Sequence, residues 1–267
     1  MSVTISASLV KELRDQTGAG MMDCKRALEE TGGDIEAARK LLREKGMADA
    51  AKRAGRETTE GLVGYRISET HGTMVAVGCE TEPVSKNEEF QAFAKKVLDA
   101  VDAEGTGAVA SLEQERQDLV AKLGENIVIV GTPARFEKVE GGTVDGYVHP
   151  PANKLGVIVQ IRGGTADLAQ HIAQQVAALA PQWISREDVP ADIVAAEREI
   201  FVNSDVVQSK PEQAREKIVE GMLNKRFFAD KVLVDQPWIR DDSKTIGQLV
   251  QDAGAEVLEF ERFSVSG

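Results

Sequence analysis

The residues that could do chemistry in this 267-residue chain are two cysteines, three histidines and a large excess of carboxylates. Cys24 and Cys79 are too few for a disulfide framework and form no CxxC pair of the kind that holds zinc, so they fit a reducing compartment. His71, His149 and His171 lie far apart in the sequence. No HxxxH or HExxH pair puts two imidazoles on one helical face, so a metal site would lack local support. There is no GxSxG elbow, and neither cysteine sits in a nucleophile motif. The phosphate-cradling pattern GxxxxGK[ST] is absent, so the chain is expected to bind no nucleotide itself. Gly18-Ala19-Gly20 and Gly105-Thr106-Gly107 place Asp23 and Ala110 where a dinucleotide fingerprint needs its third glycine, and both read as turns. The carboxylates are scattered over helix faces as solvated charge. These patterns argue against an enzyme, a cofactor or a metal, and leave an interaction protein.

Charge narrows the partners. The net charge of -12 repels nucleic acid and anionic membranes, and 4% aromatic content offers no stacking platform for bases. The first 56 residues are the exception, with 11 Lys or Arg against 9 Asp or Glu. No run of 18 apolar residues exists, and the N-terminus lacks a basic stretch followed by an apolar one, so a cytoplasmic protein is expected.

The elements that would carry an interaction surface are legible from periodicity. Leu9, Val10 and Leu13 predict a helix over Ser6–Gln16, closed by the two glycines at 18 and 20. Met21, Cys24, Ala27 and Leu28 form one stripe of a second helix ending at Gly32-Gly33. Asp34 caps a third carrying Ile35, Ala38, Leu41 and Leu42, with Gly46 as its stop. This unit, residues 1–55 with its linker from Ala48 to Glu60, resembles a ubiquitin-associated three-helix module.

An internal duplication follows. Gly61-Leu62-Val63-Gly64-Tyr65, Gly72–Val77, Thr81 and a helix through Phe90, Phe93, Ala94, Val97 and Leu98 are matched by a second set. That set is Gly142–Tyr147, Gly156–Ile161, Thr165 and a helix through Leu168, Ile172, Ala173, Val176 and Leu179. Each set reads strand, turn, strand, helix, which predicts an α+β fold with two related antiparallel-sheet-plus-helix subdomains, at 56–140 and at 141–184 with 231–267. Between them, 185–230 reads as an inserted helical hairpin. Ile193, Ile200 and Val207 recur by seven, Ala214, Ile218 and Met222 by four, and Pro211 opens the returning helix. Two helices of about 17 residues would reach roughly 25 Å. A helix over Ser243–Gln251 and a closing strand over Val257–Phe263, returning to the second sheet, complete the chain.

The run Leu13–Leu28 (LRDQTGAGMMDCKRAL) resembles the N-terminal signature of the elongation factor Ts family. Cys79–Phe90, Gly124-Glu125-Asn126-Ile127 and Ser243–Leu249 extend the resemblance in family order from about Thr4 to Phe263. It implies a guanine-nucleotide exchange factor in translation elongation that binds elongation factor Tu, with a dimerisation-type arm and so a possible homodimer or 2:2 complex. By residue, it implies partner contacts from Arg14, Met21, Met22 and Lys25 on the N-terminal module, one of the two methionines being a candidate for the core instead. His149 and Ile239 belong to the second subdomain, and Arg240 departs from the family's apolar pair. The family's exchange motif, Thr-Asp-Phe-Val, falls on Thr81, Glu82, Pro83 and Val84. It implies displacement of the partner's Mg²⁺, with a proline ring where the family carries an aromatic wedge. The alternative is a relative that binds the same GTPase with weakened exchange. A C-terminal helix that some relatives use as a further contact is expected to be missing after Gly267.

Overall fold

The computed structural model describes residues 5–266, with only the backbone at Met47, Asp49, Ala50 and Ala51; the first four residues, where no leader was expected, lie outside them. Helices α1 (Ala7–Thr17), α2 (Met21–Glu30) and α3 (Ile35–Arg53) form a module around Val10, Leu13, Cys24, Ala27, Leu28 and Ala38. The Ser6 hydroxyl caps α1 by accepting from Leu9 N, and Gly18, at φ 67°, closes it by donating to the Arg14 carbonyl. Asp34 caps α3 through Ala37 N at 3.0 Å.

Gly46 does not stop α3, which runs seven residues further and takes up much of the expected linker. A Cβ at position 46 would lie 2.8 Å from Cβ of Ala121 on α6 (Glu113–Leu123), so the glycine serves close approach of two helices. Its helix-interior cost of about 1 kcal/mol is offset by that packing.

The first sheet pairs β1 (Glu60–Ile67) with β2 (His71–Cys79), whose other edge takes β3 (Ile127–Ile129) and β4 (Ala134–Glu137). A short helix α4 (Glu82–Ser85) and the long α5 (Glu88–Glu104) follow β2, and a 3₁₀ segment leads into α6. The second sheet orders β5 (Gly142–Val148), β6 (Leu155–Arg162) and β9 (Glu256–Ser264), all antiparallel, with α7 (Ala166–Leu179) packed on it. Both predicted strand, turn, strand, helix units are thus present, and the closing strand returns to the second sheet.

The two sheets pack face to face with helices outside, which explains why β2 and β6 are nearly continuous apolar runs. Val75, Val77 and Cys79 face the α5 and α6 layer, while Met74 and Ala76 join Val63, Phe136, Val144, Ile158 and Phe263 between the sheets. In β6, Val157, Val159 and Ile161 face α7 instead. Gly156 permits this approach, since a Cβ there would lie 2.5 Å from Val63 Cγ1. Leu179, expected on the buried stripe of α7, is exposed because the helix ends there, beyond the sheet.

The hairpin is shorter than its periodicity suggests. Helix α8 (Ala191–Val202) spans 12 residues, about 18 Å, and a break at Asn203-Ser204 starts α9 (Asp205–Gln208). Pro211 is the cap of α10 (Glu212–Met222), one residue before its first turn. The break resets the helical phase, so Val207 is buried while Ile200 is 60% exposed. The core of this unit is Val189, Val207, Val219, Met222, Leu223, Phe227, Phe228 and Val232, reached through a π-helical segment at Leu223–Phe228 and α11 (Ala229–Lys231). Arg198 ties α8 to α10 through Glu216 and Glu220. Ser243 is in a strand, not a helix. The hairpin β7 (Pro237–Trp238) and β8 (Asp241–Thr245) occupies that stretch, and α12 (Ile246–Asp252) starts after Thr245, which makes a capping box with Gln248.

Candidate functional site

The end of β2 delivers Thr81, Glu82 and Pro83 to the surface, where all three are exposed, while Val84 is half-buried against the α5 and α6 core. In the second repeat, Thr165 caps α7 directly, its hydroxyl accepting from Leu168 N. Thr81, at the matching place, spends its hydroxyl on Glu125 at 2.5 Å and leads into the extra one-turn helix α4. Pro83 sits in the first turn of α4, where its missing N–H costs nothing. Glu82 pairs with Lys86 at 2.7 Å, and the hydrogen bond from that ammonium holds its carboxyl below the usual range. Next to this loop Cys79 is buried, and burial, with the charge of Glu125, pushes its thiol up to about 12. It is a buried core thiol, held in its protonated form.

The turn after β5 carries His149. Its Nδ1 lies 2.7 Å from the Tyr147 hydroxyl, with the two rings edge to face at 5.9 Å. Pro150-Pro151 is a cis peptide, and Asn153 adopts φ 55° and accepts from Val63 N at 2.7 Å. Lys154 then pairs with Glu60 on β1, and its ammonium also lowers the pKa of Glu82 as a minor cause. The His149–Lys154 turn and the Thr81–Val84 loop therefore share one flank of the sheets.

The N-terminal module approaches the same flank. Lys122 of α6 lies over Gly18, which has no side chain to obstruct it, and pairs with Glu89 at the start of α5 at 2.6 Å. On that module Met21 is 49% and Met22 63% exposed, so neither belongs to the core and Met21 leaves the buried stripe expected of it. Arg14 and Lys25 are exposed as well, Lys25 lying 3.8 Å from Glu29. Two flexible thioethers flanked by cations form an adaptable surface. Ile239 is held elsewhere: its backbone N–H donates to the buried Gln175 side chain at 2.9 Å, leaving the side chain 45% exposed. Arg240, beside it, turns back to His171 Nε2 and Gln174.

Among the described residues no group of three His, Cys, Asp or Glu side chains could hold a metal ion. A cleft of about 960 Å³ where the N-terminal helices meet α6 is lined by charges of both signs, among them Arg39, Arg43, Lys122, Asp23 and Asp118. The geometry is that of exposed loops and helix faces on a two-sheet frame.

A family model described as elongation factor TS matches residues 80–267. The chain is 42% identical to the elongation factor Ts of Thioalkalivibrio sulfidiphilus, covering 98% of this chain and 92% of that relative. It is 42% identical to that of Idiomarina loihiensis and 43% to that of Escherichia coli, each covering 98% of this chain and 91% of the relative. The chain belongs to the elongation factor Ts family. It is therefore a translation elongation factor by family, and the relatives extend the match over the N-terminal helices that the family model leaves out. No helix among the described residues is long and apolar enough to cross a membrane.

Glu125, Asn126 and Lys154 were given no role by sequence reasoning. Gly124–Ile127 stood out only as part of the family resemblance. It leads into β3, a strand of three residues that is too short for an alternation to be read.

Proposed function

We propose that the chain is a guanine-nucleotide exchange factor for elongation factor Tu, acting in the cytoplasm without a cofactor or catalytic chemistry of its own. The observation that carries this reading is the Thr81–Val84 loop, exposed at the end of a buried strand and stiffened by Pro83 and the Glu82–Lys86 pair. A rigid carboxylate-bearing wedge can displace groups around the partner's bound Mg²⁺. That ion bridges nucleotide phosphates and protein oxygens, so disturbing it removes much of the affinity for GDP.

In this reading residues 1–55 dock on the nucleotide-binding domain through Arg14, Met21, Met22 and Lys25. Residues 56–140 supply the loop. The unit of 141–184 with 231–267 meets a different domain of the GTPase through His149 and Ile239. The arm, 185–230, with Ile200 and Val206 exposed at its outer end, supports a homodimer or a 2:2 complex.

Linkage supplies the test, because a factor that weakens GDP binding must itself be weakened by GDP to the same degree. Its affinity for nucleotide-free elongation factor Tu, measured by titration, is expected to fall at least about tenfold when saturating GDP is added. Equal affinities with and without GDP would defeat the reading.

A second reading, binding with weakened exchange, is favoured by Pro83 itself. Its small ring fills less of a cleft than the family's aromatic side chain.

A further inference from the structure

We infer that Glu125 is the positioning residue of the exchange loop, holding Thr81–Val84 at a fixed angle from the sheet. The proposal rests on the exchange-factor reading above. It begins at the point where the ladder between β2 and β3 stops. Val77, Gly78 and Cys79 pair with Ile129, Val128 and Ile127. Continued, that register would set Glu80 against Asn126 and Thr81 against Glu125, with main-chain bonds joining them.

Side chains take over instead. One carboxylate oxygen of Glu125 accepts from Glu80 N at 3.1 Å and from Thr81 N at 3.0 Å, and the other accepts from the Thr81 hydroxyl at 2.5 Å. In the reverse direction, Glu80 Oε1 accepts from Asn126 N at 2.6 Å, and the buried Asn126 amide donates to the Arg56 carbonyl at 2.7 Å. The strand ends are thus satisfied but splayed apart by the length of a side chain, and the space between them frees the chain after Thr81 to turn outward into α4. Donors that point at an ionised carboxylate form the stronger class of hydrogen bond, so the brace is stiff as well as long.

The duplicated unit is an internal control. There Thr165 caps its own helix and α7 starts at once, with no protruding turn. The repeat that carries the proposed exchange motif differs from its twin in diverting the matching threonine to a brace from the neighbouring strand.

The test is steady-state GDP release from elongation factor Tu with Glu125→Ala and Glu125→Gln, together with hydrogen exchange of the free chain. Gln can keep all three contacts, its oxygen taking both N–H groups and its NH₂ donating to Thr81 Oγ1. Glu125→Ala is expected to lower kcat at least tenfold with KM changed less than threefold, and Glu125→Gln to recover to within threefold of the parent. The Glu80 and Thr81 amides should exchange at least tenfold faster in Glu125→Ala alone. Thr81→Val, which removes only the hydroxyl contact, serves if Glu125→Ala fails to fold, with an expected loss of about threefold in kcat.

Unchanged kcat and unchanged amide protection in Glu125→Ala would overturn the inference. A parallel loss in kcat and KM that Gln does not recover would do so too, since that marks a structural role. Failure of the parent chain to accelerate GDP release from elongation factor Tu would strike the exchange reading itself, and is recognised because no substitution is involved.

Discussion

His71 Nε2 lies 3.0 Å from Asp102 Oδ1, joining the start of β2 to the last turn of α5. A carboxylate near a helix C-terminus opposes the helix dipole, so Asp102 needs compensating donors. Arg66 at 3.0 Å and Thr73 at 3.1 Å are the others, and Arg135 reaches His71 Nδ1 from β4. Replacing Asp102 by Asn should therefore destabilise the first sheet by at least about 2 kcal/mol, read from urea unfolding at pH 7.

The same pair sets an acid response. Burial pushes the Asp102 carboxyl up, but hydrogen bonds from Arg66, His71 and Thr73 outweigh it and hold it below the usual range. Asp99 is lowered too, by Lys95 and Arg66. A depressed folded pKa contributes stability that is complete above the unfolded value, about 3.9, and is lost as pH falls through the folded one. The gap in unfolding free energy between the parent and Asp102→Asn should therefore be full at pH 6 and shrink below about pH 4. A gap of constant size down to pH 2 would contradict the assignment.

One substitution should have opposite signs at two helical glycines. Gly221, in α10, has nothing within 4 Å of an added Cβ, so Gly221→Ala should stabilise by about 0.5–1 kcal/mol. Gly46→Ala places its Cβ against Ala121 and should destabilise by about 1–3 kcal/mol. Melting temperatures of the two variants, compared with the parent, check both.

Pro83 is exposed, so Pro83→Phe should leave the unfolding midpoint nearly unchanged. Restoring an aromatic wedge is expected to raise the rate of GDP release or leave it equal. A loss greater than about tenfold would mean that the loop enters its partner in another geometry.

The elements were legible wherever local chemistry decides them. Ser6, Gly18 and Asp34 bound their helices as their residue types dictate, and the apolar runs of β2 and β6 announced strands, while their burial on the second face, against the other sheet, was not read from them. Errors arose where a tertiary contact reassigns a residue. Gly46 has the look of a stop but serves close packing, and Ile200 keeps the heptad spacing although the chain breaks after Val202. Ser243-Lys244-Thr245 precedes a helical stripe but is claimed by pairing with Pro237-Trp238. The residues proposed to face the partner are legible only through the family resemblance, since exposed Met, Lys and His carry no period. Glu125 acts across 44 residues on Thr81, a separation no local pattern reports.

The most direct measurement of the central claim is the rate at which labelled GDP leaves elongation factor Tu under excess unlabelled nucleotide, with this chain at a tenth of the GTPase concentration or less. The account predicts release accelerated at least about tenfold, with each molecule of the chain serving many molecules of the GTPase. A release rate indistinguishable from that of elongation factor Tu alone would contradict it.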